Sequence, residues 1–293
     1  MSDSFVRRFF FAGLDIRGAV VHLGEAWRQM QEGRDYQPTV AQLLGETAAV
    51  TALIAAQLKQ PGRLTLQLRG GGPVQLLVMD CNEQLQMRGM ARSNPIVLPA
   101  PVPELLGASQ GGRLLMSLDL PSARQPYQSF VPMVGDSIAA LFEHYLEQSE
   151  QQPSRLFASA STRAAACLFL QKMPEADVRD ADGWRRISQL AATVKTRELL
   201  ELDAEALLTR LFHEDMAEHG LRLYDARQVC YHCPEDWDKI RDMIRSLGRQ
   251  DAETILAEHG EILIRDDICN RQYRFSADDV AALFADSTGQ ALH

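Results

Sequence analysis

Between Tyr36 and Gly62, apolar or small residues recur at Val40, Leu43, Leu44, Thr47, Thr51, Ile54 and Leu58, the three-and-four spacing of one helix face. Pro38 suits the first turn and Pro61-Gly62 ends the run, so the pattern predicts a strong amphipathic helix. The period then changes. Leu64, Leu66 and Leu68 alternate with polar residues, and Gly70-Gly71-Gly72-Pro73 and "CNEQ" at 81–84 read as turns. That predicts a three-stranded meander. Further strands are expected at "GRLLMSLDL" (112–120), "QPYQSFVPM" (125–133) and "RLFASA" (155–160), with a helix at "DSIAALFEHYLEQSEQ" (136–151). The opening stretch "SFVRRFFFAGLDIRGAVV" (4–21) reads as a strand and then the start of a helix. The segment ending "LFLQKMP" at 174 has no assigned type.

After Pro174 the strand pattern stops. Residues 175–215 are polar and helical, and read as a connector. A compact module follows, with helices at "DWDKIRDMIRSLG" (236–248), "AETILAEHG" (252–260) and "SADDVAALF" (276–284). Around "EILIRDDICNRQYRF" (261–275) a strand pair is expected. The fold class is therefore α+β: an N-terminal mixed, mostly antiparallel sheet with packed helices (1–177), a helical connector (178–226) and a small C-terminal helix and β-hairpin module (227–293).

Composition narrows the function. The chain has 293 residues, enough for two domains, and its 46 % hydrophobic content supports a real core. A net charge of −9 argues against a general nucleic-acid-binding surface, which needs clustered Lys and Arg. The N-terminus has no cleavable signal pattern, and no uninterrupted apolar run is long enough to span a membrane. Five cysteines do not make a secreted disulfide scaffold, so the cytoplasm is the expected setting.

Most tempting motifs have plain readings. "RGGGPV" lacks the Gly-Lys-Ser/Thr ending of a phosphate loop and joins two strands, so a hairpin turn is expected. His213 and His219 are six apart, a poor helical spacing for one metal. Cys81 and Cys167 stand alone in apolar surroundings and read as small buried hydrophobes. No ATP-binding motif and no Ser/His/Asp or Cys/His arrangement stands out. What remains is "VCYHCPEDWD" (229–238) with Cys230 and Cys233, and "RDDICNRQYRF" (265–275) with Cys269.

"LLGE" (43–46), "LTLQLRGGGP" (64–73), "YQSFVP" (127–132), "YLEQSEQQPSRL" (145–156), "LFLQKMP" (168–174) and "RLFHED" (210–215) occur in that order. With the C-terminal module, they resemble the redox-regulated 33-kDa heat-shock chaperone family over nearly the whole chain. The resemblance implies an ATP-independent holdase that keeps unfolding proteins from aggregating under oxidative or heat stress. It also implies a zinc ion held by Cys-x-Cys and a distant Cys-x-x-Cys. Oxidation to two disulfides then releases the zinc, the module and connector unfold, and client-binding surface is exposed.

This sequence departs from that pattern. The four positions fall on Cys233, Glu235, Asp266 and Cys269, and Cys230 is an extra thiol. Three readings stand open. Zinc is held by Cys233, Cys269, Asp266 and one of Cys230, His232 or Glu235; carboxylate and imidazole are legitimate ligands, but harder oxygen donors bind more weakly. Alternatively zinc is lost, with Glu235 in a helix first turn and Asp266 a turn residue. In the third, Cys230 and Cys233 form a thiol–disulfide pair. Three thiols allow one local bond or one long bridge to Cys269, so the two-disulfide switch cannot operate, and weaker dependence on peroxide is expected. Candidate client-binding residues are Leu190, Leu199, Leu200, Leu207 and Leu211, together with the first domain's sheet. Unfolding clients are the expected partners, with a homodimer as the active form. A thiol oxidoreductase using Cys230 and Cys233, or a protein-binding adaptor, is the alternative.

Overall fold

The first twenty residues form a hairpin of two strands, β1 (Phe5–Phe11) and β2 (Ile16–Leu23), rather than a strand and a helix. Asp15 takes a left-handed conformation (φ 51°), which reverses the chain. Ile16, Val20 and Val21 then suit the pleated surface. The computed structural model describes residues 3–285, which divide at His232/Cys233 into two compact units.

In the first unit, α1 (Glu25–Gln31) and α2 (Pro38–Ala55) precede the meander β3 (Arg63–Arg69), β4 (Val74–Asn82) and β5 (Gln86–Ser93). Next come α3 (Val102–Leu105), β6 (Arg113–Asp119), β7 (Tyr127–Val131), α4 (Ile138–Glu150), β8 (Ser154–Ala160) and β9 (Ala165–Lys172). Ser137 caps α4, its side chain accepting from Ala140 N–H. The segment left unassigned by its pattern is β9, buried along nearly its whole length. A strand covered on both faces has no alternation to read.

The connector region holds α5 (Ala176–Arg179), α6 (Gly183–Ala191), α7 (Thr196–Glu201) and α8 (Ala204–His219). Three short strands follow: β10 (Leu221–Leu223), β11 (Arg227–Gln228) and β12 (Cys230–Tyr231). Two sheets result. One runs β10-β1-β2-β9-β8, with β11 also pairing β1; the other runs β12-β5-β4-β3-β6-β7. All pairings are antiparallel except β12 with β5.

Helix α2 packs against both sheets and is buried almost all round, not on one face. Its helical period was legible, but its polar face was not real. Thr47 and Thr51 turn their hydroxyls inward to donate to the carbonyls of Leu43 and Thr47, each at 2.7 Å. Among the described helices, α2 alone has the length and apolar composition to cross a membrane, and that surface is buried inside the first unit.

The second unit contains α9 (Trp237–Leu247), α10 (Arg249–His259), the hairpin β13 (Ile262–Asp266) with β14 (Arg271–Phe275), and α11 (Ala277–Ala285). Its small core joins Ile240, Ile244, Ala252, Ile262, Tyr273, Phe275, Val280 and Leu283.

Candidate functional site

Strand alternation gives the β1-β2-β9 sheet two apolar faces. Val6, Ala19, Val21, Cys167 and Phe169 join the core around α2. Phe9, Phe11, Ile16, Val20, Leu168 and Leu170 point the other way, into a second core. The partners in that second core come from the connector: Ile187, Ala191, Leu199, Leu207, Leu208, Leu211 and Phe212. Phe212 meets Phe11 edge-to-face at 5.6 Å. The connector helices are thus a cover over an apolar sheet face.

Of the five leucines predicted to meet clients, Leu199, Leu207 and Leu211 are buried in this second core, and Leu190 and Leu200 pack against it. All five are engaged within the chain.

Polar clasps hold the cover. Arg186 on α6 donates to Asp215 on α8 and to Asp180, at 2.8 and 2.9 Å, and Asp215 is only 4 % exposed. The Asp182 N–H, and then Arg186, hold the Asp180 carboxyl below the usual aspartate range. His219, at the end of α8, lies 3.9 Å from Asp215 and accepts from Gly13 N–H through its carbonyl at 3.1 Å. Arg179 donates to Ala12 O at 3.1 Å. Both ends of the connector are therefore tied to the β1–β2 turn. On the other side, the His22 ring lies between Asp3 O (2.6 Å) and Leu200 O (2.9 Å), stacked on Phe5.

The cysteines divide into two kinds. Cys81 and Cys167 are buried, as expected; burial pushes the Cys81 thiol up to about 12, and that of Cys167 also upward. Cys230 is free and exposed on β12. Cys233 is bonded to Cys269 across 36 positions, with a Cα–Cα distance of 5.7 Å that suits a disulfide. The long bridge is therefore the pairing present, not Cys230 with Cys233.

The two acids in this cluster have other work. Glu235 precedes α9 rather than sitting in its first turn; Asp236 is the cap, accepting from Lys239 N–H. Glu235 accepts from the Trp237 indole at 2.9 Å and lies 3.5 Å from Arg271. Asp266 accepts from the backbone N–H groups of Ile268 and Cys269 at 3.0 and 3.2 Å, forming the turn between β13 and β14. Tested as zinc ligands, these four residues do not fit. The thiols are joined to one another, and the carboxylates serve the indole, Arg271 and the turn backbone. Among the described residues, no group of three or more His, Cys, Asp or Glu side chains is placed to hold a metal. His232 contributes its backbone N–H to Met87 O, and the His213 ring lies 3.7 Å from the carboxylate of its neighbour Glu214.

One apolar feature escaped the sequence reading. Edge strand β7 exposes Tyr127 and Phe130, 73 % and 57 % accessible, inside the "YQSFVP" run. Local pattern shows a strand but not that it lies at a sheet edge.

A family profile described as "Hsp33 protein" matches residues 4–276. A 33 kDa chaperonin of Methylobacillus flagellatus is 37 % identical over 286 residues, covering 95 % of this chain and 94 % of the relative. One from Chromobacterium violaceum is 35 % identical over 280 residues, covering 95 % and 93 %. The solved structure of the 33 kDa chaperonin from Thermotoga maritima superposes with a TM-score of 0.79 over 99 % of this chain and 100 % of that one; at 20 % identity it speaks for the fold. Fold, ordered motifs and relatives agree, and the chain belongs to the Hsp33 family.

Proposed function

We propose that this protein is an ATP-independent holding chaperone whose client surface is the β1-β2-β9 face together with the connector helices that cover it. The observation that carries this reading is the second core, where apolar residues of β1, β2 and β9 are covered by connector helices joined to them by packing and a few clasps. Released, the cover would turn one buried interface into two exposed apolar surfaces, the property that binding to unfolded chains requires. Exposed Tyr127 and Phe130 on edge strand β7 offer a first contact before release. A cytoplasmic setting and a homodimeric active form belong to the same reading.

In this reading the switch differs from the zinc-based one. The cluster has two bonded thiols where that switch needs four, so heat-driven release of the connector is the trigger. The oxidoreductase alternative gains little: Cys230 sits on a strand rather than at a helix N-terminus, and Cys233 is bonded to Cys269. The test is suppression of aggregation of a thermally unfolding client, without ATP, with and without peroxide. Suppression on heating alone supports the proposal. No suppression under any condition contradicts it, and an absolute requirement for peroxide contradicts the thermal trigger.

A further inference from the structure

We propose that the Cys233–Cys269 disulfide has taken over the role of a metal in the second unit, so that oxidation tightens this unit rather than unfolding it. The sign is opposite to the one the family resemblance implies. The inference concerns regulation of the holding function proposed above and rests on that reading for its physiological meaning only.

The bond's position carries the argument. Cys233 is the first residue of the second unit, and Cys269 lies in the turn between β13 and β14. One bond across 36 positions therefore closes α9, α10 and β13 into a single loop. A metal held by two distant half-sites would make the same connection. A disulfide between near neighbours in sequence would not.

The bond also reinforces native contacts. Trp237, at the start of α9, packs edge-to-face on Tyr273 of β14 at 4.8 Å, joining the same two regions. Glu235 and Arg271 face each other across the same junction at 3.5 Å. Both cysteines are buried, at 6 % exposure each. A unit with so small a core is the kind that needs a covalent or metal staple. The former ligand positions Glu235 and Asp266 bond to protein groups, so the folded unit satisfies them without a metal.

The chemistry balances with a peroxide as oxidant. One thiolate attacks the peroxide oxygen, giving a sulfenic acid and releasing water or an alcohol. The second thiol displaces that oxygen as water, forming the S–S bond. Two thiols lose two electrons and two hydrogens in total, and the peroxide takes up both. An external dithiol reverses the reaction. The second unit's described residues contain no other cysteine, so only one disulfide can form within it.

The test is hydrogen exchange on the full-length chain, treated with chelator and then either with a phosphine reductant or with hydrogen peroxide. Peroxide is expected to raise protection across 237–283 by roughly several hundredfold to a thousandfold over the reduced chain. Cys230→Ser should keep this difference, and the double variant Cys233→Ser/Cys269→Ser should abolish it. Peptides from the first unit serve as the internal reference, so the wild-type comparison decides the matter even if the double variant leaves the second unit unfolded. Unchanged or lower protection after peroxide overturns the proposal. So does a reduced chain that, after incubation with zinc chloride and desalting, retains one zinc and matches the oxidised chain's protection. No client enters this measurement, so failure of the holdase reading would appear separately, in the aggregation assay.

Discussion

Arg186 on α6 donates to the buried Asp215 on α8 at 2.8 Å, joining two connector helices over the sheet face they cover. Removing Asp215 takes away the buried partner of Arg186 and leaves it the more exposed Asp180, at 2.9 Å, and the more distant Asp182. Arg186 is one-third exposed, which moderates the effect. Asp215→Ala should therefore loosen the connector by about 2 kcal/mol. Faster hydrogen exchange over 204–219 and a lower onset temperature for client holding would register it.

Gly13 brings the β1–β2 turn against the end of α8. A Cβ there would lie 2.9 Å from His219 O, closer than side-chain carbons normally come to backbone. Gly13→Ala should shift the docked connector at a cost of about 1–3 kcal/mol. A lower melting temperature with earlier holding activity is expected. Because the fault lies at the interface, strands β3 to β6 should keep their exchange protection.

The connector should also respond to acid. The Asp182 N–H and Arg186 favour the charged form of Asp180, so its pKa in the fold lies below its unfolded value. Its contribution to stability is present above the unfolded value and is lost as pH falls through the folded one, in the region below about pH 4. Connector exchange measured from pH 5 to pH 3 should accelerate at the low end. Asp180→Asn should already be weaker at pH 5 and show a flatter profile.

Glu46 has the opposite sign. It is buried on α2, and burial raises its pKa against the partial offset of a hydrogen bond from Gln42. The fold thus disfavours its charged form, and this cost grows as pH rises through the carboxylate range. Glu46→Gln should raise the melting temperature at pH 7.5, with the gain shrinking toward pH 4.

Removing the Cys233–Cys269 bond frees a loop spanning 36 positions in the unfolded chain. Chain entropy puts the loss near 4 kcal/mol for the second unit. Calorimetry of oxidised and reduced chains should show the transition of this unit moving down on reduction.

Much of the fold was legible because local period and turn chemistry carry it. The alternation at Leu64, Leu66 and Leu68 forms β3, and the glycine run is the turn into β4. The misread β2 and α2 and the untyped β9 share one cause, which is burial on two sides. β2, β9 and α2 are covered on both faces, and a doubly covered element loses the polar face that gives its type away. The site was partly legible. Asp266 was named as a zinc ligand or a turn residue, and it accepts from the turn backbone; the leucines were named for clients or for internal packing, and at rest they pack. Which thiols meet depends on how residues 36 apart fold together, and spacing does not encode that.

The most direct test of the account places a photo-activated cross-linking amino acid at Leu211, on the buried face of α8. At rest it should cross-link to β1, β2 or β9 of the same chain. At temperatures where client aggregation is suppressed, it should cross-link to client instead. Full holding activity with Leu211 still cross-linking only to the sheet would contradict the claim that the connector is the movable cover of the client surface.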